Sequence, residues 1–124
     1  MPFAPTRLFL LVAVLAAAVA IIPPAAAQTD ELQEASQLLK QGQLDRALER
    51  VDAFLKTKPK DARGRFMRGL ILAEQNKPND AIKIFTELTQ EFPELPEPHN
   101  NLAVLYASQG QYDKARAALE MAIR

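Results

Sequence analysis

The twenty-nine residues from Pro96 to Arg124, PEPHNNLAVLYASQGQYDKARAALEMAIR, decide the fold. Leu102, Ala103, Tyr106 and Ala107 follow an i, i+1, i+4, i+5 pattern, and Ala115, Leu119, Ala122 and Ile123 follow its counterpart after an interruption at Gly110. Each pattern is the apolar stripe of a helix, so the stretch reads as two helices joined by a tight turn. Glycine suits the left-handed backbone that ends a helix. Asp113, just beyond it, is expected to cap the free N–H groups of the second helix.

Working outward, the same features recur thirty-four residues upstream, and again thirty-four before that. Ala47, Ala81 and Ala115 share this interval, as do Ala35, Gly69 and Ala103; Gly42, Asn76 and Gly110; Val51, Phe85 and Leu119; Asp45, Asn79 and Asp113; and the pair Pro59 and Pro93. Size or chemistry is kept within each column. A fixed period of this length marks an array of supersecondary units. The units fall at about 28–61, 62–95 and 96–124, and Asp45 and Asn79 are expected to cap helices as Asp113 does. Small residues in two columns let helix backbones approach closely.

These columns resemble the tetratricopeptide repeat, whose pattern runs Trp, Leu-Gly, Tyr, Ala, Phe, Pro. Leu102-Ala103, Tyr106, Ala115 and Leu119 carry the likeness in the third unit. Gly69, Leu72, Ala81, Phe85 and Pro93 carry it in the second, and Ala35, Leu38, Ala47, Val51 and Pro59 in the first. Glu31, Arg65 and His99 stand where the family has its Trp. The resemblance implies an all-α fold, a right-handed superhelical array of antiparallel helix pairs. It also implies a concave groove lined by the first helix of each unit. Carried over by position, the groove receives Leu32, Ser36, Leu39 and Lys40 from the first unit, and Arg63, Phe66, Leu70 and Glu74 from the second. The third supplies Glu97, Asn100, Val104 and Ser108. An apolar floor of Leu32, Phe66, Leu70 and Val104 favours a hydrophobic helix or extended segment as ligand. The alternative is that Phe66 and Leu70 pack against neighbouring helices. Lys and Asn are absent where the carboxylate-clamp members of the family need them.

Ahead of the array, Arg7 precedes the uninterrupted apolar run Leu8–Ile22, then Pro23-Pro24 and Ala25-Ala26-Ala27. A cation, an apolar stretch, a breaker and small residues are the parts of a cleavable signal peptide over 1–27, with the cut between Ala27 and Gln28. Fifteen residues give about 22 Å of helix, short of a bilayer core of roughly 30 Å, so an uncleaved anchor is the lesser alternative. Of the 124 residues, 97 then form the mature chain, with 14 cations against 15 anions and about 40% apolar residues. Export implies a periplasmic or secreted location. The absence of cysteine removes disulfides, thiol chemistry and a lipid-acceptor residue, leaving helix packing to stabilise the chain.

Little else points to chemistry. No net positive charge favours nucleic acid or an anionic membrane surface. His99 is the only histidine, and Ser108 lies nine residues further along the same expected helix, about 13 Å away, so no nucleophile and base are paired. His99 is expected to be a half-buried packing residue. No metal or cofactor site is expected, and the chain reads as a non-enzymatic scaffold whose partner is a protein or peptide. Glu91, Glu94 and Glu97 read as a solvated loop stiffened by Pro93, Pro96 and Pro98. Lys56, Lys58, Lys60, Arg63, Arg65 and Arg68 form the one local charge asymmetry, a solvated face or a docking site for an acidic partner. The third unit holds twenty-nine of thirty-four residues, and Ala118, Met121, Ala122 and Ile123 have nothing after them. That points to a longer protein, including an accessory domain of an envelope enzyme, or to a partner or second copy packed there.

Overall fold

The computed structural model describes residues 24–124, which form six helices and no strand. They are α1 (Pro24–Lys40), α2 (Leu44–Thr57), α3 (Ala62–Glu74), α4 (Pro78–Glu91), α5 (Pro96–Ser108) and α6 (Tyr112–Ala122). The helices pair as α1 with α2, α3 with α4 and α5 with α6, and the pairs stack through α2 on α3 and α4 on α5. α3 begins at Ala62 and α5 at Pro96. The apolar run Leu8–Ile22 lies outside the described residues, and the expected cut at Ala27–Gln28 falls within α1.

The turn inside each unit is set by backbone sterics. Gly42, Asn76 and Gly110 have φ of 73°, 60° and 74°. At each, the N–H of the next residue reaches back to the carbonyl five positions earlier: Gln43 to Leu38, Lys77 to Leu72 and Gln111 to Tyr106, all at 2.9 Å. This closes the preceding helix with a left-handed residue, which glycine accepts without cost and asparagine with little.

Capping departs from expectation. Gln43, Lys77 and Gln111 stand at the N-caps of α2, α4 and α6 and make no side-chain cap bond. Asp45 and Asn79 lie inside their helices and turn toward the next unit, where Asp45 Oδ1 accepts from Gln75 Nε2 and Asn79 Oδ1 from Gln109 Nε2, both at 3.0 Å. The side-chain cap belongs instead to Asp61, outside every column, whose Oδ1 accepts from the N–H groups of Arg63 (2.9 Å) and Gly64 (3.2 Å). Burial pushes the Asp61 carboxyl up, but its bonds to Arg63 and Gly64 outweigh this and hold it below the usual carboxylate range. A lowered folded value means the stabilisation is complete above the ordinary carboxylate range and disappears as pH falls through the folded value. Asp61→Ala should therefore cost about 1 kcal/mol at neutral pH. In acid, denaturant midpoints of the two proteins should converge; a gap that persists at pH 2 would assign the loss to packing.

The core forms two clusters, one per junction. Leu32, Ala35, Leu38, Ala47, Val51 and Phe54 of the first unit enclose Ile71 of α3. Leu72, Ala81, Phe85 and Leu88 of the second pack with Leu102, Ala103, Leu105 and Ala118 of the third. The small-residue columns act where predicted. A Cβ on Gly69 would lie 2.7 Å from the Phe85 ring; Gly64, which belongs to no column, makes a second close approach, where a Cβ would lie 2.8 Å from Phe54 and Leu55. At α6 the expected buried stripe is only half buried. Ala115 is buried and Ala122 half-buried, whereas Leu119 and Ile123 are 50% and 85% exposed because nothing among the described residues packs over them.

Candidate functional site

Of the first helices, α1 reaches α3 directly, and α3 and α5 share the lining of two hollows. On α3, Arg63, Phe66, Leu70 and Glu74 step by three or four residues and so share a stripe. Two hollows open along it. One, of about 440 Å³, is lined by Leu39 of α1, by Leu70, Ala73 and Glu74 of α3, and by Asn101, Val104 and Leu105 of α5. The other, of about 360 Å³, lies at the N-terminal ends of α3 and α5 between Arg63, Phe66 and Met67 on one side and Leu95, Glu97 and Pro98 on the other. Phe66 and Ala73 are seven residues apart, which places the hollows about 10 Å from each other along α3.

Leu39, Leu70, Glu74 and Val104 therefore meet in one hollow, and Arg63, Phe66 and Glu97 in the second. Leu32 does not join them, because it is 8% exposed within the first core cluster. Ser36 is half-buried, while Lys40, Asn100 and Ser108 are exposed and line neither hollow. The Ser108 hydroxyl donates back to the Leu105 carbonyl at 2.6 Å. Phe66 has a double role, since its ring also packs at 5.5 Å and 57° against Phe85. Pro98, Asn101 and Leu105 line the hollows as well, each one residue beyond the Glu97, Asn100 and Val104 of the family pattern, of which Asn100 alone lines neither. The difference is one residue, or about 100° of helix, because the hollows lie between adjacent helices and so use the flank of α5 facing α3. Val104, with 68% of its surface exposed, is an apolar side chain presented to solvent at the rim.

A larger, polar hollow of about 580 Å³ lies away from this stripe, at the turns, between Gly42–Arg46 and Gln75 with Lys77. The Gln75–Asp45 bond spans it, and Gln75 Oε1 is buried without a partner.

The basic run dissolves on folding. Arg65 binds both oxygens of Glu91, at 2.6 and 3.0 Å, Arg68 binds Asp52 at 3.0 Å and Arg63 binds Asp61 at 3.3 Å. The Arg65 bond holds the Glu91 carboxyl below its ordinary range and raises the guanidinium in turn. The lysines of the run, and Arg63 with 67% of its side chain exposed, remain open to solvent. Arg65 thus ties α3 to α4 at the position where an aromatic residue was missing, and His99 does comparable work in α5. His99 is 6% exposed, more deeply placed than expected, with Nε2 donating to the Pro93 carbonyl at 3.2 Å. Among the described residues no cluster of His, Asp and Glu could hold a metal ion, and no helix is long and apolar enough to cross a membrane.

Two models described as tetratricopeptide repeat match the sequence, one over residues 32–96 and the other over 72–124. No curated protein matches it. Among solved structures it is similar to the Yersinia enterocolitica type III secretion translocator chaperone SycD in an alternative dimer form. That match has 17% identity and a TM-score of 0.72 and covers 77% of this chain and 73% of that one. It is also similar to a MamA RS-1 ArsTM double mutant, at 20% identity and a TM-score of 0.69, covering 77% of this chain and 54% of that one. At such identities these two likenesses speak for the fold.

Proposed function

The chain belongs to the tetratricopeptide repeat family, and from that premise we propose that it is a non-enzymatic, exported scaffold of the bacterial cell envelope that holds an apolar helix or extended segment of a partner protein along α3 and α5. One observation carries the reading. Leu39, Leu70 and Val104, contributed by three successive units, line a single hollow whose rim keeps an apolar side chain in solvent. Surfaces of that kind are costly to leave open and are expected where a partner binds. The spacing of the two hollows suits a helical ligand with apolar side chains at i and i+7, which lie about 10 Å apart, or an extended one with anchors three residues apart. Arg63, Glu97, Glu74 and Asn101 around the floor provide polar contacts that would fix its register. The envelope location rests on the arrangement of Arg7, Leu8–Ile22 and Ala25–Ala27.

A photo-crosslinking side chain placed at Glu74, in the hollow shared by α1, α3 and α5, captures partners in intact cells, and mass spectrometry identifies them. Val104→Glu in that background should reduce capture by about 30-fold or more, as expected for an apolar hot-spot contact replaced by a charge. Circular dichroism and thermal midpoint should be unchanged, because Val104 contributes little to the core. Undiminished capture would sink the groove, and capture of cytosolic proteins alone would overturn the proposed location.

A further inference from the structure

The smaller hollow arises from differences between the two junctions. At the first, Phe54 and Leu55 of α2 close over Gly64 of α3, and Asp61 in the preceding loop turns onto the N–H groups of Arg63 and Gly64. Thirty-four residues on, Pro98 stands for Gly64, Leu95 for Asp61 and Leu88 for Phe54. A pyrrolidine ring keeps its neighbours further off than a glycine does, and leucine is shorter than phenylalanine. The space left between α3 and α5 is the hollow of about 360 Å³, with Leu88, 1% exposed, at its floor and Phe66, Met67, Leu95 and Pro98 around it.

Two opposite charges flank this apolar space from different helices. Arg63 of α3 is held by a single 3.3 Å contact to Asp61, which leaves most of its side chain in solvent. Glu97, in the first turn of α5, is exposed and makes no ion pair among the described residues. The two line one hollow without pairing across it. An aliphatic anchor would use neither charge. An aromatic ring turns a negative face to a guanidinium and a positive edge to a carboxylate, and tryptophan gives the strongest cation contact of this kind. Its indole N–H is also a pure donor, which a carboxylate accepts. Met67 adds a thioether, which favours an aromatic neighbour. At about 360 Å³ the hollow lies at the small end of ligand pockets, which run from roughly 300 to 1,000 Å³, and so suits one large side chain.

We propose, on the footing of the scaffold function proposed for α3 and α5, that the smaller hollow is the socket for a tryptophan side chain of the partner segment. Its ring enters between Phe66, Met67 and Pro98, with its face toward the Arg63 guanidinium and its N–H donating to the Glu97 carboxylate. The larger hollow, where Glu74 is the one charged lining residue, receives the neighbouring anchor of the same segment about 10 Å away.

The chain has no tryptophan and three methionines, Met1, Met67 and Met121. With methyl-labelled methionine, Met67 therefore reports on the hollow and Met121, on α6, is the control. In the protein as cells produce it, N-acetyl-tryptophanamide should give Met67 a saturable ring-current shift, half complete at about 0.1–1 mM as suits a ligand of its size, and leave Met121 in place. N-acetyl-leucinamide should bind about tenfold more weakly or worse, since it makes neither polar contact. Arg63→Gln and Glu97→Ala, both at exposed positions outside the core, should each weaken the tryptophan probe about threefold or more and leave the leucine probe unaffected. Equal binding of the two probes, no saturable shift, or unchanged affinity in both variants overturns the socket. So does a set of segments captured at Glu74 that carry no tryptophan seven residues from the other anchor when helical, or three when extended. The groove itself is tested at the larger hollow by Val104→Glu, so loss of the socket and loss of the groove are separate results.

Discussion

Replacing Phe85 by alanine will lower the stability of the array by about 3–5 kcal/mol, read as a fall in the denaturant midpoint at unchanged slope. The ring is fully buried, at the centre of the cluster that joins the second unit to the third. Its neighbours cannot move in to fill the space. On one side lies Gly69, which has no side chain to extend, and on another the tilted ring of Phe66, already fixed by the hollow it lines. The cost therefore combines lost transfer free energy with a cavity that stays open. Against a total of about 5–15 kcal/mol for a domain of this kind, the loss is a large share. A change below about 1.5 kcal/mol would show that α3 and α4 collapse onto each other after all.

Ile71→Ala should cost about 2–5 kcal/mol, with a different spatial signature. Ile71 sits on α3, yet its side chain is fully buried in the cluster built mainly by residues of α1 and α2. It is the one fully buried residue that α3 contributes to the first unit's cluster. In a linear array stability divides into terms for units and for their interfaces, so the loss falls on one junction. Hydrogen exchange should show the amides of α1 and α2 losing protection ahead of those of α5 and α6. Uniform loss across all six helices would mean that the array folds as one cooperative block and that the junction has no separate existence.

The period of thirty-four made most of the fold legible, because each column is a packing requirement repeated three times. Left-handed turns at Gly42, Asn76 and Gly110 and the small residues facing large ones needed only the column to be recognised. What the columns could not tell was direction. Asp45 and Asn79 read as caps from their place after a turn, but they lie a residue inside the helix and serve the next unit. Asp61, which does cap, belongs to no column, since Leu95 occupies the corresponding position before α5. The groove was legible as stripes and not as a surface. Leu32 shares the stripe spacing of Leu39 but turns into the core, and Asn101 and Leu105 line a hollow that exists only because two helices cross beside each other.

The contact between Gly69 and Phe85 has a consequence for how such a chain can change over time. The first unit pairs alanine at this site with Val51, the second pairs glycine with phenylalanine, and the third pairs alanine with Leu119. Whole units could be duplicated or lost without disturbing these matches, but an exchange that joins the front half of one unit to the back half of another would not be neutral. Ala35 or Ala103 brought opposite Phe85 places a methyl group 2.7 Å from the ring. The repeats thus look like copies of one part but behave as fitted pairs, and their two halves must diverge together.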